Sequence, residues 1–184
     1  PSAYRFPTGL WSLANAATAG RGPYIQSRGD RPRRVDWASG CALVLRRAAL
    51  DAVGTFDEGY FMYAEETDLC RRLADAGWER WYVPSVTVVH HHQASSAAVP
   101  DRRVAEQWRS RRRFWEQHAG RLDAAVARGA IAAQMAAMEA AVRVSGRRRV
   151  ALDEIRLHRR GALGRPLGPG LRELAEEFNA GREA

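Results

Sequence analysis

A mixed α/β body followed by a purely helical tail is what this sequence predicts, on three observations. Between Val35 and His92, short β-branched runs alternate with short helical ones. Gly54 and Gly77 stand where two of the helical runs should stop. Beyond Gly120 the apolar residues recur only at helical spacing. The 184 residues are enough for one ordinary domain and an appendage. Apolar residues make up 46% of the chain, which supports a real core. No run of about 18 apolar residues points to a membrane span.

Residues 1–34 are rich in Gly, Pro, Arg and Ser, with one short helix expected over Leu10 to Ala19 and loop elsewhere. Compact order is expected from Val35. Ser39 to Leu45 reads as a buried strand and Arg47 to Val53 as a helix capped by Gly54. Thr67 to Ala76 reads as a second helix, stopped by Gly77. Glu79 to Val83 and Ser85 to His90 read as strands around Pro84, the latter for its β-branched density. Val104 to His118 is strongly helical, with Trp108, Phe114 and Trp115 among its arginines. Leu122 to Val144 is Ala-rich, with Ile131, Met135, Met138 and Val142 at helical spacing, until Gly146 and the Arg147-Arg148-Arg149 run break it. A Gly/Pro-rich stretch then leads to an amphipathic helix over Leu171 to Phe178. These elements divide the chain into 1–34, 35–120 and 121–184.

The formal net charge is +8 and every basic residue outside histidine is Arg. Such a balance favours anionic partners: phosphates, acidic lipid surfaces or nucleic acid. Cys41 and Cys70 are too few and too far apart for a disulfide framework or a zinc motif. Both are expected as buried thiols, which fits a reducing cytosol.

The chemistry concentrates in Phe56 to Leu73, where Glu65, Glu66 and Asp68 follow an aromatic cluster at the mouth of a helix. Carboxylates beside aromatics suit a site that takes a proton from a hydroxyl while a ring stacks nearby. Acids in a first helical turn also serve structure, because the helix dipole favours them there. A second group is His90-His91-His92 at a strand end, where imidazole can ligate a divalent metal. Alternation puts His90 and His92 on one face and His91 on the other. A third is Trp37-Ala38-Ser39-Gly40, where the indole offers a platform for a sugar or base, or packs as a core residue.

Taken in order, Trp37-x-Ser39-Gly40, Gly54-x-Phe56-Asp57-Glu58, Tyr63-x-Glu65-Glu66-x-Asp68-Leu69-Cys70, Gly77-Trp78, Val83-Pro84 and Val88-Val89-His90-His91 resemble the C-terminal half of bacterial family 2 glycosyltransferases, in particular the rhamnosyltransferase-like enzymes. The likeness covers roughly Val35 to His118. It implies part of a GT-A fold and inverting transfer of rhamnose or a similar hexose from a nucleotide-sugar donor to a hydroxyl of a polysaccharide or lipid-linked acceptor.

The resemblance also implies roles. Glu66 stands where the family has its Asp general base, one methylene longer here, and Glu65 would orient base or acceptor. Trp37 and Asp68 would face the acceptor, Asp68 alternatively capping its helix. Arg111 to Arg113 would approach donor phosphates or an anionic lipid-linked acceptor, with Arg111 and Arg113 as the donor-phosphate contacts. His90 and His91 would help hold Mg²⁺ or Mn²⁺. No Asp-x-Asp occurs in the chain, and no strand–glycine loop–helix precedes Val35. The expectation is therefore an acceptor-side half, with residues missing upstream of Pro1 and no transferase activity by itself. It would act in the cytoplasm, touching an anionic membrane surface at most, with no nucleic acid as partner. Two other readings remain: a basic helical nucleic-acid-binding module built on Arg102 to Arg113, and a metal-dependent hydrolase built on the His run and Glu65/Glu66.

Overall fold

The computed structural model describes residues 2–19, 24–90, 98–145 and 149–183. Seven helices and four two-residue strands are present among them: β1 (Ala3–Tyr4), α1 (Gly9–Ala17), β2 (Arg33–Arg34), β3 (Trp37–Ala38), α2 (Arg47–Val53), α3 (Glu65–Asp75), β4 (Trp81–Tyr82), α4 (Pro100–His118), α5 (Arg121–Ser145), α6 (Arg149–Ala162) and α7 (Leu171–Glu183). The strands form two antiparallel pairs. β1 lies on β3 with Tyr4 opposite Trp37, and β2 lies on β4 with Arg33 opposite Tyr82.

Helix α4 is the spine. Proline is favoured in its first turn because the missing N–H has no intrahelical acceptor there. Val104, Trp108 and Trp115 recur at helical spacing and are almost completely buried. Phe6 stacks on Phe114 at 6.4 Å, and the Trp115 indole donates to the Pro7 carbonyl at 2.7 Å. On the other side, α6 crosses Trp108 at Gly161, where an added Cβ would run into the indole ring. Truncating so enclosed an aromatic costs about 3–5 kcal/mol. The helices α1 and α5 are joined by the Asp123 carboxylate, which accepts the Gly9 amide at 2.8 Å and so satisfies a free N–H of α1.

Helix α3 buries Leu69, Cys70 and Leu73. Leu69 and Leu73 pack with Ala49 of α2 in a smaller cluster bordered by Leu45, Leu50, Val53 and Trp78. The expected stop at Gly54 is present, at φ 81°. The tail is held by charge as well as by packing: Glu139 of α5 gathers Arg143 at 2.6 Å, Arg156 at 3.1 Å and Arg159 at 3.2 Å.

Several expectations are corrected. Ser39 to Leu45 is not a strand but an exposed loop, with Val44 fully solvated. Ser85 to His90 is not a strand either, and Val86, Val88 and Val89 are exposed. Of Glu79 to Val83 only Trp81 and Tyr82 are paired. β-Propensity measures fit to a paired, half-covered surface, and among the described residues no ladder meets the first two stretches. Compact order does not wait for Val35: Ala3 is completely buried, β1 pairs with β3, and Phe6 belongs to the main core. Cys41 is exposed, while Cys70 is buried as expected. Helix α6 had no counterpart in the sequence reading, and α7 runs five residues beyond the expected Phe178.

Candidate functional site

The approach to Glu65 and Glu66 is strained. Tyr63 and Ala64 are consecutive non-glycine residues with left-handed backbones, at φ 69° and 64°. Each such residue costs about 1–2 kcal/mol and persists only where its surroundings dictate it. Here the buried Ser110 hydroxyl of α4 donates to the Met62 carbonyl at 2.7 Å, and Ala64 packs against the main core. The turn delivers both glutamates at the start of α3 with no side chain capping that helix.

Glu66 is enclosed beneath Gly40, whose amide approaches one carboxylate oxygen at 3.4 Å. The second oxygen of Glu66, and one oxygen of Glu65, are buried without a hydrogen-bond partner. Among the described residues neither glutamate has an ion pair. Burial first, and then the neighbouring Glu65 charge, raise the pKa of Glu66 above the ordinary carboxylate value, against hydrogen bonds from the Glu66, Gly40 and Thr67 amides. A carboxylate so placed is a stronger base than one in water, and it retains open acceptor capacity.

An aromatic wall adjoins the acids. Tyr4 stacks on Trp37 at 4.7 Å between centroids and meets Tyr24 at 5.8 Å. The Trp37 indole donates to the Arg5 carbonyl at 2.8 Å, which fixes the ring in the sheet. Burial, then Cys41 and Glu66, raise the Tyr4 phenol's pKa, so its hydroxyl lies within the field of the acids. The sequence reading named Trp37 and missed Tyr4 and Tyr24. Their only signal was aromatic character within a stretch otherwise lacking periodicity.

The other expected residues are elsewhere. Asp68 is buried, with one oxygen 2.6 Å from the His118 Nε2 and the other accepting from Arg72 at 2.8 Å. It ties α3 to α4 and does not cap its helix, whose cap position is Ala64. Arg113 pairs with Asp57 at 2.8 Å, and Gln117 reaches the same carboxylate at 3.0 Å. Those bonds, with one from the Gly59 amide, hold Asp57 well below the usual carboxylate range. Arg111 lies over the face of Trp108, 4.9 Å from the ring centroid. His90 is exposed, and His91 falls outside the described residues. Among the described residues no three His, Cys, Asp or Glu side chains gather where they could hold an ion, so the expected Mg²⁺ or Mn²⁺ has no ligand set in them. The basic stripe of α4 is largely paired: Arg102 with Glu177, Arg103 with Glu154 and Arg109 with Glu173. Its Trp108, Phe114 and Trp115 are buried in the core rather than presented for stacking. No helix among the described residues is long and apolar enough to cross a membrane.

Paired carboxylates with open oxygens beside an aromatic wall define a site suited to deprotonating a hydroxyl on a ring-shaped ligand. The chain belongs to the glycosyltransferase like family 2, whose model matches residues 3–108, more than half of its length. It is similar to an N-acetylglucosaminyl-diphospho-decaprenol L-rhamnosyltransferase of Mycobacterium tuberculosis (strain CDC 1551 / Oshkosh), 43% identical over 99 residues, which are 53% of this chain and 32% of that protein. The protein of the same description from strain ATCC 25618 / H37Rv matches equally. Rhamnosyltransferase WbbL of Escherichia coli K12 is 44% identical over 64 residues, 34% of this chain and 24% of that protein. The match thus spans about a third or less of these curated relatives. No solved structure matches the chain significantly.

Proposed function

We propose that this chain is the acceptor-side part of an inverting GT-A glycosyltransferase, moving rhamnose or a similar hexose from a nucleotide sugar to a hydroxyl of a lipid-linked or polysaccharide acceptor. The observation that carries the reading is the Glu65/Glu66 pair beside Tyr4 and Trp37, each with a buried oxygen unpartnered and with no counter-ion among the described residues. The reaction is one in-line displacement. The acceptor oxygen bonds to the anomeric carbon as its proton passes to Glu66, and the bond to the nucleoside diphosphate breaks on the opposite side. Glu65 keeps a second negative charge next to the base and so raises its affinity for that proton. The aromatic wall aligns the sugar ring.

The relatives' names support the choice of rhamnose, and the mycobacterial one supports a diphospho-lipid-linked acceptor. Cell-wall or surface polysaccharide synthesis is the corresponding setting, in the cytoplasm and at most peripheral to an anionic membrane. Mg²⁺ or Mn²⁺ belongs to this proposal through the family resemblance alone. No step above runs through it.

Donor binding is proposed to reside in polypeptide other than this chain, which by itself would be inactive. Incubating the chain with dTDP-rhamnose and a short-chain N-acetylglucosaminyl-diphospho-prenol should give no product, while a protein joining it to a family donor half should turn over. Turnover by the chain alone would overturn the partition. A joined protein equally active after Glu66→Gln would overturn the base.

A further inference from the structure

We propose that the tail helix α7 sets the position of the Glu65/Glu66 pair through Arg172, a positioning residue that grips the loop leading into that pair. Its effect on catalysis rests on the sugar-transfer reading; its effect on the placement of the glutamates does not.

The loop from Asp57 to Met62 runs directly into the strained Tyr63–Ala64 turn, so where the loop is held decides where α3 begins. Helix α4 fixes one side of it. Arg113 and Gln117 hold the Asp57 carboxylate, which also accepts the Gly59 amide at 2.7 Å. The Tyr60 hydroxyl donates to Gln117 at 2.5 Å, and Ser110 holds the Met62 carbonyl. None of these bonds takes the Gly59 carbonyl or the Phe61 ring. Both go to Arg172, which donates to the Gly59 carbonyl at 3.2 Å and lies 5.7 Å from the Phe61 ring centroid. Phe61 stands four residues before Glu65, a reach of at most about 14 Å for extended chain.

Arg172 can act on the loop because its own backbone is fixed. Its amide donates to the buried Glu106 of α4 at 3.2 Å, and an added Cβ at Gly170 would run into that carboxylate. Arg109 bridges Glu106 at 3.3 Å and Glu173 at 2.6 Å. The Arg172 Nε is buried without an acceptor, a cost that a side chain turned to water would escape. The guanidinium nevertheless faces the loop. Beyond it a cleft lined by Glu58, Phe61, Glu176 and Asn179 parts loop from helix, so Arg172 spans a gap that packing leaves open. Consecutive left-handed residues persist only while their surroundings dictate it. Releasing the Gly59 carbonyl and the Phe61 ring removes one of the two sides that hold the turn, and Glu66 loses part of its enclosure beneath Gly40. Helix α7 lies outside residues 3–108, which the family model matches, and this contact gives it a part in the site.

The test reads the Glu66 carboxylate directly, by NMR of the full chain carrying carbon-13 in its glutamate side-chain carboxyls, with E66Q assigning the signal. Arg172→Met keeps the stem and removes the donor. The Glu66 pKa, raised by burial and by Glu65, should then fall toward that of an exposed glutamate. Arg172→Lys should restore part of the wild-type value. Arg102→Ala is the control, because it removes the 3.0 Å pair with Glu177 that also ties α7 to α4 and leaves the loop contacts in place. It should leave Glu66 unchanged. A merely structural contact would lower stability in both variants and move Glu66 in neither. Glu65, Tyr4 and Cys70 share a field with Glu66, and no variant alters them. Arg172→Gln gives the same reading should R172M not fold. In a transferase completed with a donor half, R172M should lower kcat about tenfold at unchanged donor KM, as a small misplacement of the base would. An unchanged Glu66 pKa in the folded variant, or an equal shift in R102A, overturns the inference. A shift at Glu66 together with a kcat indifferent to E66Q would uphold the positioning and overturn the base.

Discussion

Buried acids in this protein fall into two groups that the fold treats differently. Toward the tail, Glu106 receives Arg109 at 3.3 Å and the Arg172 amide at 3.2 Å, and Glu139 gathers three arginines. Each leaves one oxygen without a hydrogen bond, as Glu65 and Glu66 do. The difference is charge. Glu106 and Glu139 carry arginine partners, whereas Glu65 and Glu66 stand side by side with none among the described residues.

The largest effect that would break this comparison is at Glu66. In a transferase completed with a donor half, Glu66→Gln should lower kcat by about 10²–10⁴, the usual contribution of a general base, with little change in donor KM. The acid limb of the wild-type rate profile should lie above the ordinary carboxylate range, because the pKa of Glu66 is raised. Stability should move the other way. A group whose folded pKa is raised favours the fold when protonated, and that contribution is lost as pH rises through the folded pKa. Gln mimics the protonated form, so E66Q should melt higher than wild type above that pKa and equal to it in acid. A variant less stable than wild type at pH 8 would show that Glu66 is held by partners after all.

Next in size is Asp68, the opposite case. Its oxygens are both occupied, by His118 and Arg72, and it is nearly inaccessible. Asp68→Ala would leave two basic side chains without their acceptor, and breaking a buried pair in this way costs about 3–5 kcal/mol. Urea denaturation measures it. A loss below about 1 kcal/mol, with transfer abolished, would return Asp68 to the acceptor role that the sequence suggested.

How much of this was legible in the sequence follows from where each partner lies. Glu65 and Glu66 could be read because acids, aromatics and helix start are consecutive. Helices α1 to α5 and α7 could be read because their periodicity and stops are local. The segments Ser39–Leu45 and Ser85–His90 were misread because β-branched composition says nothing about a pairing partner. Arg111 and Arg113 look identical in the run Arg111-Arg112-Arg113, yet among the described residues only Arg113 of the two reaches a carboxylate. The deciding residue, Asp57, is 56 positions away. Tyr4 meets Trp37 only through strand pairing across residues 4–37, and Ser110 reaches back 48 positions to Met62.

That last bond gives a smaller expected effect. Ser110→Ala would leave the Met62 carbonyl without its donor and should cost about 1–2 kcal/mol. If Ser110 positions the glutamates, kcat in the completed enzyme should fall by about tenfold while substrate KM values hold, and Ser110→Thr should restore part of it. A stability loss with unchanged kcat would reduce Ser110 to a packing contact.

The smallest effect tests the strain itself, and its sign is the informative part. Ala64 sits at φ 64°, ψ −2°, where glycine is at ease and alanine is not. Ala64→Gly removes about 1–2 kcal/mol of left-handed penalty and adds about 0.4–1 kcal/mol of unfolded-state entropy. The net should be a gain of roughly 0.5–1 kcal/mol, read as a higher urea midpoint at unchanged slope. Substitution to glycine generally lowers stability, here also by removing a methyl packed against the main core, so a rise would be hard to explain without the strained turn. If the midpoint rises while transfer slows, the alanine serves to hold Glu65 and Glu66 in place against that strain. If the midpoint falls, the turn is relaxed in solution and is not what holds the two glutamates in place.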